Sequence, residues 1–433
     1  FSEAVRKLLF EPLSMSKSQF YVGEGIEEDI ARAYAWHKGE HRPLSYAFVP
    51  ITPVGGASST ARDMSRLAKM FLAKGSLGEQ QVLEKSTVEL MQRCHASNHE
   101  SFPGLGYGFF QQKKNGLLLQ GHGGGVLGFS SIFYMIPSKD LGYFIGCNLS
   151  NGFGFLDDIE AKLLDQYFPE KELEPNESRY LELEGHELEK YCGRYRGNRY
   201  PRSTCSKILS IIPPIISEKR LSLNNSGKLV MDSVKFYFFS RYPTELRPIG
   251  EHLFERSDGR GEVVFLLDPS SSKVEHMALS SSPISVFEAI ESYDTQVFHL
   301  VLIGSFLLVF ALGSLGRLFG RFAFLMELPA HQRLGALLTA ISAINLVIPF
   351  IPLIAVFPME WECPNLVYGM PSHLKPFLLL PYLSALLLML STPALCKLIF
   401  DRSLPRKTKL FPSLLFLFAW LYLPYLWVWN LLA

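Results

Sequence analysis

The sequence predicts an α+β protein in three parts: an antiparallel sheet flanked by helices, a small all-β domain, and four transmembrane helices. Three observations carry that prediction. A glycine-rich strand, Gly121-His122-Gly123-Gly124-Gly125, precedes two β-rich runs, Phe129–Pro137 and Leu141–Cys147, joined by a turn at Ser138-Lys139-Asp140. Residues 185–291 then fall into short alternating runs with hairpin signals between them. From Val297 onward, four stretches (Val297–Leu315, Leu334–Phe357, Pro376–Cys396 and Leu410–Ala433) hold no Asp, Glu, Lys or Arg. Each is about as long as the ~20 residues that cross a bilayer's hydrocarbon core.

The boundaries follow from those shifts in composition. Residues 1–170 read as one globular domain, 171–184 as a charged linker, 185–291 as a small antiparallel barrel or sandwich, and 296–433 as the membrane region. Within it the spans lie at about 297–316, 334–357, 376–396 and 410–432. A chain of 433 residues suits two or three domains.

Taken in order, Phe1–Phe10 is expected to be an amphipathic helix (Phe1, Val5, Leu8, Leu9) stopped by Pro12. Residues 20–58 are punctuated by Gly and Pro, with Tyr34, Trp36 and Tyr46 as packing aromatics. Thr60-Ala61-Arg62-Asp63 is a capping box for a helix with a Met64, Leu67, Ala68, Phe71, Leu72 stripe that Gly75 closes. Further helices are expected from Ser86 and over Asp157–Tyr167, and strand material from Leu105 into the glycine strand. In the second part, Leu221–Leu223, Lys228–Met231, Lys235–Phe239 and Glu262–Leu267 are strands. Asp258-Gly259 is a hairpin turn, and the tyrosines are core and cross-strand residues.

Several function classes are excluded or weakened. Gly123-Gly124-Gly125-Val126-Leu127-Gly128 spells G-x-G-x-x-G, but a dinucleotide site needs a helix straight after it and strand-like residues follow here. A net charge of +1 gives no electrostatic footprint for nucleic acid. The six cysteines (Cys94, Cys147, Cys192, Cys205, Cys363, Cys396) form no CxxC; Cys192 and Cys205 are the one pair considered for a disulfide, and free thiols are the expectation. His37…His41 and His95…His99 have i,i+4 spacing without a third ligand nearby, so no metal site and no cofactor are expected.

The glycine strand and its surroundings also carry a resemblance. Glu11-Pro12-Leu13-Ser14-Met15, Val54-Gly55-Gly56, Ser59-Thr60-Ala61-Arg62-Asp63-Met64, Gly106-Tyr107-Gly108, Gly121-His122-Gly123-Gly124 with Gly128-Phe129-Ser130-Ser131, and Asn148 occur in the order seen in the serine β-lactamase-related family. That family holds class C β-lactamases, D-alanyl-D-alanine peptidases and allied esterases, and the resemblance covers about 170 residues of this chain. It implies the C-terminal portion of a β-lactamase/transpeptidase-like domain. In the family, Ser-x-x-Lys, Tyr-x-Asn and a strand bearing Lys-Thr-Gly or His-x-Gly meet in one cleft. By resemblance His122-Gly123-Gly124 is the third element, Gly125 supplies an oxyanion-hole N–H, and Gly121 and Gly123 line the substrate edge. His122 would meet a substrate carboxylate or move a proton. The resemblance puts the nucleophilic Ser, its Lys and the Tyr upstream of Phe1. Ser14-Met15-Ser16-Lys17 fits the letters but sits at a corner of the family fold, and Ser270…Lys273, Ser372…Lys375 and Ser222-Leu223-Asn224 lie outside the catalytic part. The chain as given is therefore expected to be inert. Leu188-Glu189-Lys190-Tyr191-Cys192-Gly193-Arg194-Tyr195 resembles the opening of the small β-domain that often follows.

The loops between the apolar runs set an orientation. Arg317, Arg321 and Arg333 in the first, and Lys397, Arg402, Arg406, Lys407 and Lys409 in the third, contrast with Glu360 and Glu362 in the second. Positive-inside then puts loops 317–333 and 397–409 in the cytoplasm, and residues 1–296 and the C-terminus outside. Trp420, Tyr422, Tyr425, Trp427 and Trp429 are expected in an interfacial belt, and Asn345 as helix–helix glue. The spans carry one ionisable residue, His299, so they read as an anchor in the lipid bilayer and not as a pump. The leading expectation is a membrane-anchored, extracytoplasmic serine hydrolase working through an acyl-enzyme on D-amino-acid peptides, β-lactams or small esters. The alternative is an inactive envelope sensor that binds peptide or glycan, and a third reading is a decayed gene product.

Overall fold

The computed structural model describes residues 1–20, 30–37, 39–44, 46, 53–149, 152–169, 179–211, 218–233, 243–315, 331–351 and 375–432. Helix α1 (Ser2–Val5) runs on into a π-turn over Arg6–Phe10. That wider winding corrects the expected stripe. Phe10 is buried and Val5 and Leu9 pack against the core, whereas Leu8 is 73% exposed and Phe1 61%. Strands β1 (Ala33–His37) and β2 (Glu40–Leu44) form a hairpin in which alternation turns Ala33 and Ala35 inward. Trp36, expected to pack, is 59% exposed on the other face against the His41 ring.

Helix α2 (Ala61–Leu72) starts as its cap predicts: Thr60 Oγ1 accepts from Asp63 N–H at 3.2 Å. The buried Asp63 carboxylate turns back to the first segment, accepting from Lys17 N–H at 2.9 Å and Ser18 Oγ at 2.8 Å. Gly75 ends the turn at φ +106°, where a Cβ would lie 2.0 Å from Leu83 O. A short hairpin (β3 Ser76–Leu77, β4 Gln80–Gln81) leads to α3 (Lys85–Gln92).

The sheet of this domain has the order β5 (Phe110–Lys114), β6 (Leu117–Val126), β7 (Phe129–Ile136), β8 (Leu141–Cys147), all antiparallel. Helix α4 (Phe153–Tyr167) packs on one face and begins four residues before the expected Asp157. Phe133 and Met135 of β7 join the cluster with α2, while Ile132, Tyr134 and Ile136 join the one with Leu156 and Leu164 of α4. Both faces of the sheet are covered, which is why Ile132–Ile136 is an unbroken buried run. On the α4 side, the Glu160 carboxylate is buried and takes Lys114 Nζ and the Tyr143 hydroxyl. Burial first, then the Glu160 and Asp157 charges, push the Tyr134 hydroxyl up to about 12.

The second domain is a closed barrel. After α5 (Gly185–Leu188) come eight described strands: β9 (Gly193–Gly197), β10 (Glu218–Leu223), β11 (Leu229–Ser233), β12 (Thr244–Gly250), β13 (Leu253–Arg256), β14 (Glu262–Leu267), β15 (Val274–Leu279) and β16 (Val286–Ile290). β9 pairs with both β10 and β16 and closes the ring. Tyr191 and Tyr195 are core, as expected: Tyr195 OH donates to Tyr191 O at 2.8 Å, and Phe265 packs on both rings. Among the described residues the interior is filled by packed side chains, Leu221, Met231, Phe254, Phe265 and Met277 among them. The expected strand Lys235–Phe239 and most of the linker lie outside the described residues. Phe102 of the first domain packs on Val264 and Ala278 of the barrel's outer face, and Asn98 Nδ2 donates to Pro283 O at 2.9 Å.

Among the described residues, three C-terminal helices are long and apolar enough to cross a membrane: α6 (Gln296–Leu315), α8 (Leu380–Phe400, preceded by a 3₁₀ turn from Lys375) and α9 (Arg406–Val428). The expected second span gives a shorter apolar helix, α7 (Gln332–Val347), and residues 352–374 lie outside the described part. Ser384 Oγ donates to Asn345 Oδ1 at 2.7 Å, the helix–helix bond expected of that asparagine. The aromatic belt needs correction. Tyr422 (1% exposed) and Trp429 (2%) are buried in the bundle, Tyr422 against Phe306 and Phe310, so Trp420 and Trp427 are the members that face outward. The described cysteines, Cys94, Cys147, Cys192, Cys205 and Cys396, are free thiols.

Barrel and bundle meet at a charged junction. Arg196 of β9, 1% exposed, donates through Nε and Nη2 to Glu218 of β10 at 3.3 and 3.1 Å, and through Nη1 to Asp294 at 3.3 Å. Glu218 Oε1 also accepts from Gln296 N–H at 3.0 Å, and His299 Nε2 lies 3.0 Å from Asp294 Oδ1. Burial by itself would raise the Asp294 carboxyl, but the His299 hydrogen bond and the Arg196 charge outweigh it and hold the group below its ordinary 3.8. A depressed carboxyl stabilises the fold above its unfolded value, and that contribution is lost as pH falls through the lower folded value. Thermal scans between pH 6 and pH 3 should therefore show a steeper loss for the wild type than for Asp294→Asn. Equal slopes would contradict the assignment.

Candidate active site

The predicted site residues all lie on β6, and their surroundings are asymmetric. β5 pairs with β6 only from Lys114↔Leu117 to Phe110↔Gly121, whereas β7 pairs through Gln120↔Met135 to Val126↔Phe129. From His122 to Val126, then, one edge of β6 is paired with β7. The opposite edge has no strand partner among the described residues. Main-chain N–H and C=O groups on such an edge are a template for an added extended segment.

Pleating distributes the residues over two faces. Leu119 faces the α4 cluster, which puts Gly121, Gly123 and Gly125 on that side and His122 and Gly124 on the other. Gly121 is buried, and its missing Cβ matters most: one built there would lie 1.9 Å from Phe133 O and 2.7 Å from Tyr134 Cα. Gly123 and Gly125 face the Phe153 ring at the start of α4, at 3.6 Å from Cε1 and 2.8 Å from Cε2 for the built Cβ atoms. Gly124 is exposed, and its built Cβ meets Ser131 Oγ at 3.0 Å. His122 is exposed; its ring lies 4.3 Å from the Phe110 ring, and Nδ1 is bonded to Gly123 O. The strand thus runs between two aromatic walls, Phe110 beside His122 and Phe153 beside Gly123 and Gly125. Sequence reasoning missed both. Phe153 carries no helix-start signal that places it ahead of Asp157, and the pairing register of Phe110 with Gly121 cannot be read from one strand alone.

Two contacts hold the strand's far end. Gly128 turns the chain into β7 at φ +84°, and a Cβ there would meet Ala33 Cβ at 2.3 Å. Tyr34 N–H donates to Asn148 O at 3.0 Å and Asn148 Nδ2 to Arg32 O at 2.8 Å, tying the β1–β2 hairpin to the end of β8. The element straight after the G-x-G-x-x-G letters is the strand β7 and not a helix, so the strand–glycine–helix order that a dinucleotide site needs is not met there. No group of three metal-ligating side chains occurs among the described residues. His95, of the i,i+4 pairs, stacks on Tyr107 at 3.9 Å and bonds Leu90 O at 2.7 Å.

Comparison with known proteins bears on this strand and its sheet. Residues 1–166 match the family model described as Beta-lactamase. This part of the chain is therefore similar to the β-lactamase family. No curated protein matches the chain. Among solved structures, the octameric penicillin-binding protein homologue from Pyrococcus abyssi is 23% identical over 66% of this chain and 60% of its own, with a TM-score of 0.35. SurE is 18% identical over 66% and 62%, with a TM-score of 0.40. The D-stereospecific amidohydrolase from Streptomyces sp. is 19% identical over 38% and 48%, with a TM-score of 0.30. Superpositions this loose carry no geometric argument. The chain spans about 60% of the length of the first two structures. The β-lactamase-like domain, the barrel and the apolar helices are thus three distinct parts of one chain.

Proposed function

We propose that the protein is a membrane-anchored serine hydrolase of the cell envelope that works through an acyl-enzyme, with the free edge of His122–Val126 as its substrate-binding strand. The observation that carries this reading is that edge, half-unpaired on a glycine-lined strand of a β-lactamase-like domain. An extended substrate adds to it through main-chain hydrogen bonds. The Gly125 N–H, fixed on a sheet, meets the oxyanion as the carbonyl becomes tetrahedral. A Ser, a Lys and a Tyr in the roles that the family resemblance gives them perform the attack: Ser Oγ bonds the carbonyl carbon, its proton passes through Lys and Tyr to the leaving group, and water later releases the acyl group. His122 supplies a donor or a proton at the cleft wall. Substrates are D-amino-acid peptides, β-lactams or small esters, and an exposed imidazole in place of a lysine favours the first and last of these over β-lactams.

For the membrane part, we read four crossings, with residues 1–296 and the C-terminus outside and loops 317–333 and 397–409 in the cytoplasm. The two ends of the bundle nearest the barrel support an even number. His299 near the start of α6 packs on Trp429 just past the end of α9 at 4.9 Å, and Asn430 Nδ2 donates to Arg202 O of the barrel domain at 2.9 Å.

His122→Ala is expected to lower kcat/KM by about 100-fold, the scale of a lost acid–base or charge-assisted contact. Because the side chain is exposed, folding stability should change by less than about 0.5 kcal/mol. Hydrolysis of a D-alanyl peptide, a penicillin and an activated ester, measured on the protein from its complete coding sequence, tests both statements. Saturable peptide binding without turnover of any of the three would replace the hydrolase with the non-catalytic sensor.

A further inference from the structure

Between the barrel and the bundle lies a cavity of about 150 Å³, lined among others by Arg196, Arg202, Lys207, Ser210, Asp294 and Trp429. Its donors and acceptors are out of balance. The Ser210 hydroxyl is fully buried and has no hydrogen-bond partner among the described residues. Lys207 Nζ donates to Val428 O at 2.9 Å and stands 5.6 Å from the centre of the Trp429 ring, with no carboxylate in ion-pair range among the described residues. An ammonium has three donors, and this half-exposed one has two free for the cavity or for solvent. Arg202 and Arg196 are already matched, by Glu288 at 2.7 Å and by Glu218 and Asp294. The Asp294 carboxylate is likewise taken up by Arg196 and His299. What the cavity lacks is acceptors.

A group that offers only acceptors, in several directions, satisfies that set better than water, which brings two donors of its own. A phosphate does so with a charge that Lys207 balances. The surroundings indicate where it would come from. Val297 (57% exposed) and Val301 (63%) at the start of α6, and Trp427 (66%) at the end of α9, are exposed apolar residues at this end of the bundle. On the membrane placement given above, that apolar surface contacts acyl chains, and the cavity lies at headgroup depth.

We propose that this junction is a binding site for a phosphate-bearing anion, supplied by the headgroup of an anionic lipid. Lys207 and Ser210 donate to the phosphate oxygens, and the bound lipid fastens the barrel to the bundle. The proposal needs the helices in a membrane but not the hydrolase.

Native mass spectrometry of the full chain in detergent tests it, with phosphatidylglycerol, phosphatidylcholine and inorganic phosphate as probes. The wild type should retain one phosphatidylglycerol about ten-fold more tightly than phosphatidylcholine. Lys207→Gln and Ser210→Ala should each reduce that preference several-fold. Ser210→Ala removes only an unpartnered hydroxyl, so a folding defect cannot mimic the result, and Lys85→Gln on the distant α3 should change nothing. Saturable phosphate binding that Lys207→Gln weakens, with no preference between the lipids, would keep the site and overturn the lipid as its source. Equal lipid binding by wild type and both variants, with no phosphate bound, would overturn the proposal. Carbonate extraction of membranes separately tests the helices' placement, since extraction of the chain would remove the lipid source whatever the phosphate result.

Discussion

Arg196→Leu should destabilise the barrel by about 3 to 5 kcal/mol, the cost of stripping one partner from a buried ion pair. The guanidinium is 2% exposed and the facing Glu218 carboxylate 7%. Without Arg196, Glu218 keeps Gln296 N–H and a half-exposed Arg194 at 3.8 Å, too little to balance a buried charge. The penalty is mostly that of the abandoned carboxylate and not the net worth of the pair. Arg196→Leu combined with Glu218→Gln, which removes the charge but keeps an acceptor for Gln296, should therefore recover most of the loss. Equilibrium urea unfolding in detergent reads both variants, and a double variant as unstable as the single one would contradict the argument.

Gly121→Ala should cost at least about 3 kcal/mol, at the upper end of what overpacking a core does. The new Cβ would lie 1.9 Å from a backbone oxygen of β7, and neither strand can yield without opening the β6–β7 ladder. Gly124→Ala, three residues on, meets only the Ser131 hydroxyl at 3.0 Å and should stay within about 1 kcal/mol of wild type. Thermal unfolding of the pair separates a glycine required by packing from one exposed on the cleft. Similar losses for both would mean that the strand tolerates no side chain for some other reason.

Much of this architecture was legible in the sequence, for identifiable reasons. Glycines clustered on an apolar background, followed by Phe129–Ile136 and Leu141–Cys147, could form little besides a sheet, and Thr60 with Asp63 marked a helix start with one hydrogen bond. The resemblance read from Gly121–Gly124 and its neighbours agrees with a family match over residues 1–166. What escaped was set by three-dimensional closure. Alternation alone could not decide whether Trp36 or Ala35 turned inward, because that depends on how closely Gly128 lets β7's turn approach β1. The π-turn at Arg6–Phe10 leaves no compositional mark, so Leu8 read as core. Arg196, Glu218 and Asp294 stand up to 98 residues apart in sequence and meet only because β9 closes the barrel next to α6. In an apolar helix, similarly, nothing distinguishes a tyrosine of the bundle core, such as Tyr422, from one of an interfacial belt.

The central claim is that the His122–Gly125 strand serves acyl transfer. Intact-mass analysis of the protein from its complete coding sequence, after exposure to a penicillin and to an activated ester, tests it most directly. The account predicts an added acyl mass on one serine, formed more slowly in His122→Ala and restored to free enzyme on standing in water. A wild-type protein that is folded by thermal scan and yet takes up no acyl group from either reagent would contradict it, and would leave the free edge of β6 as a binding surface without chemistry.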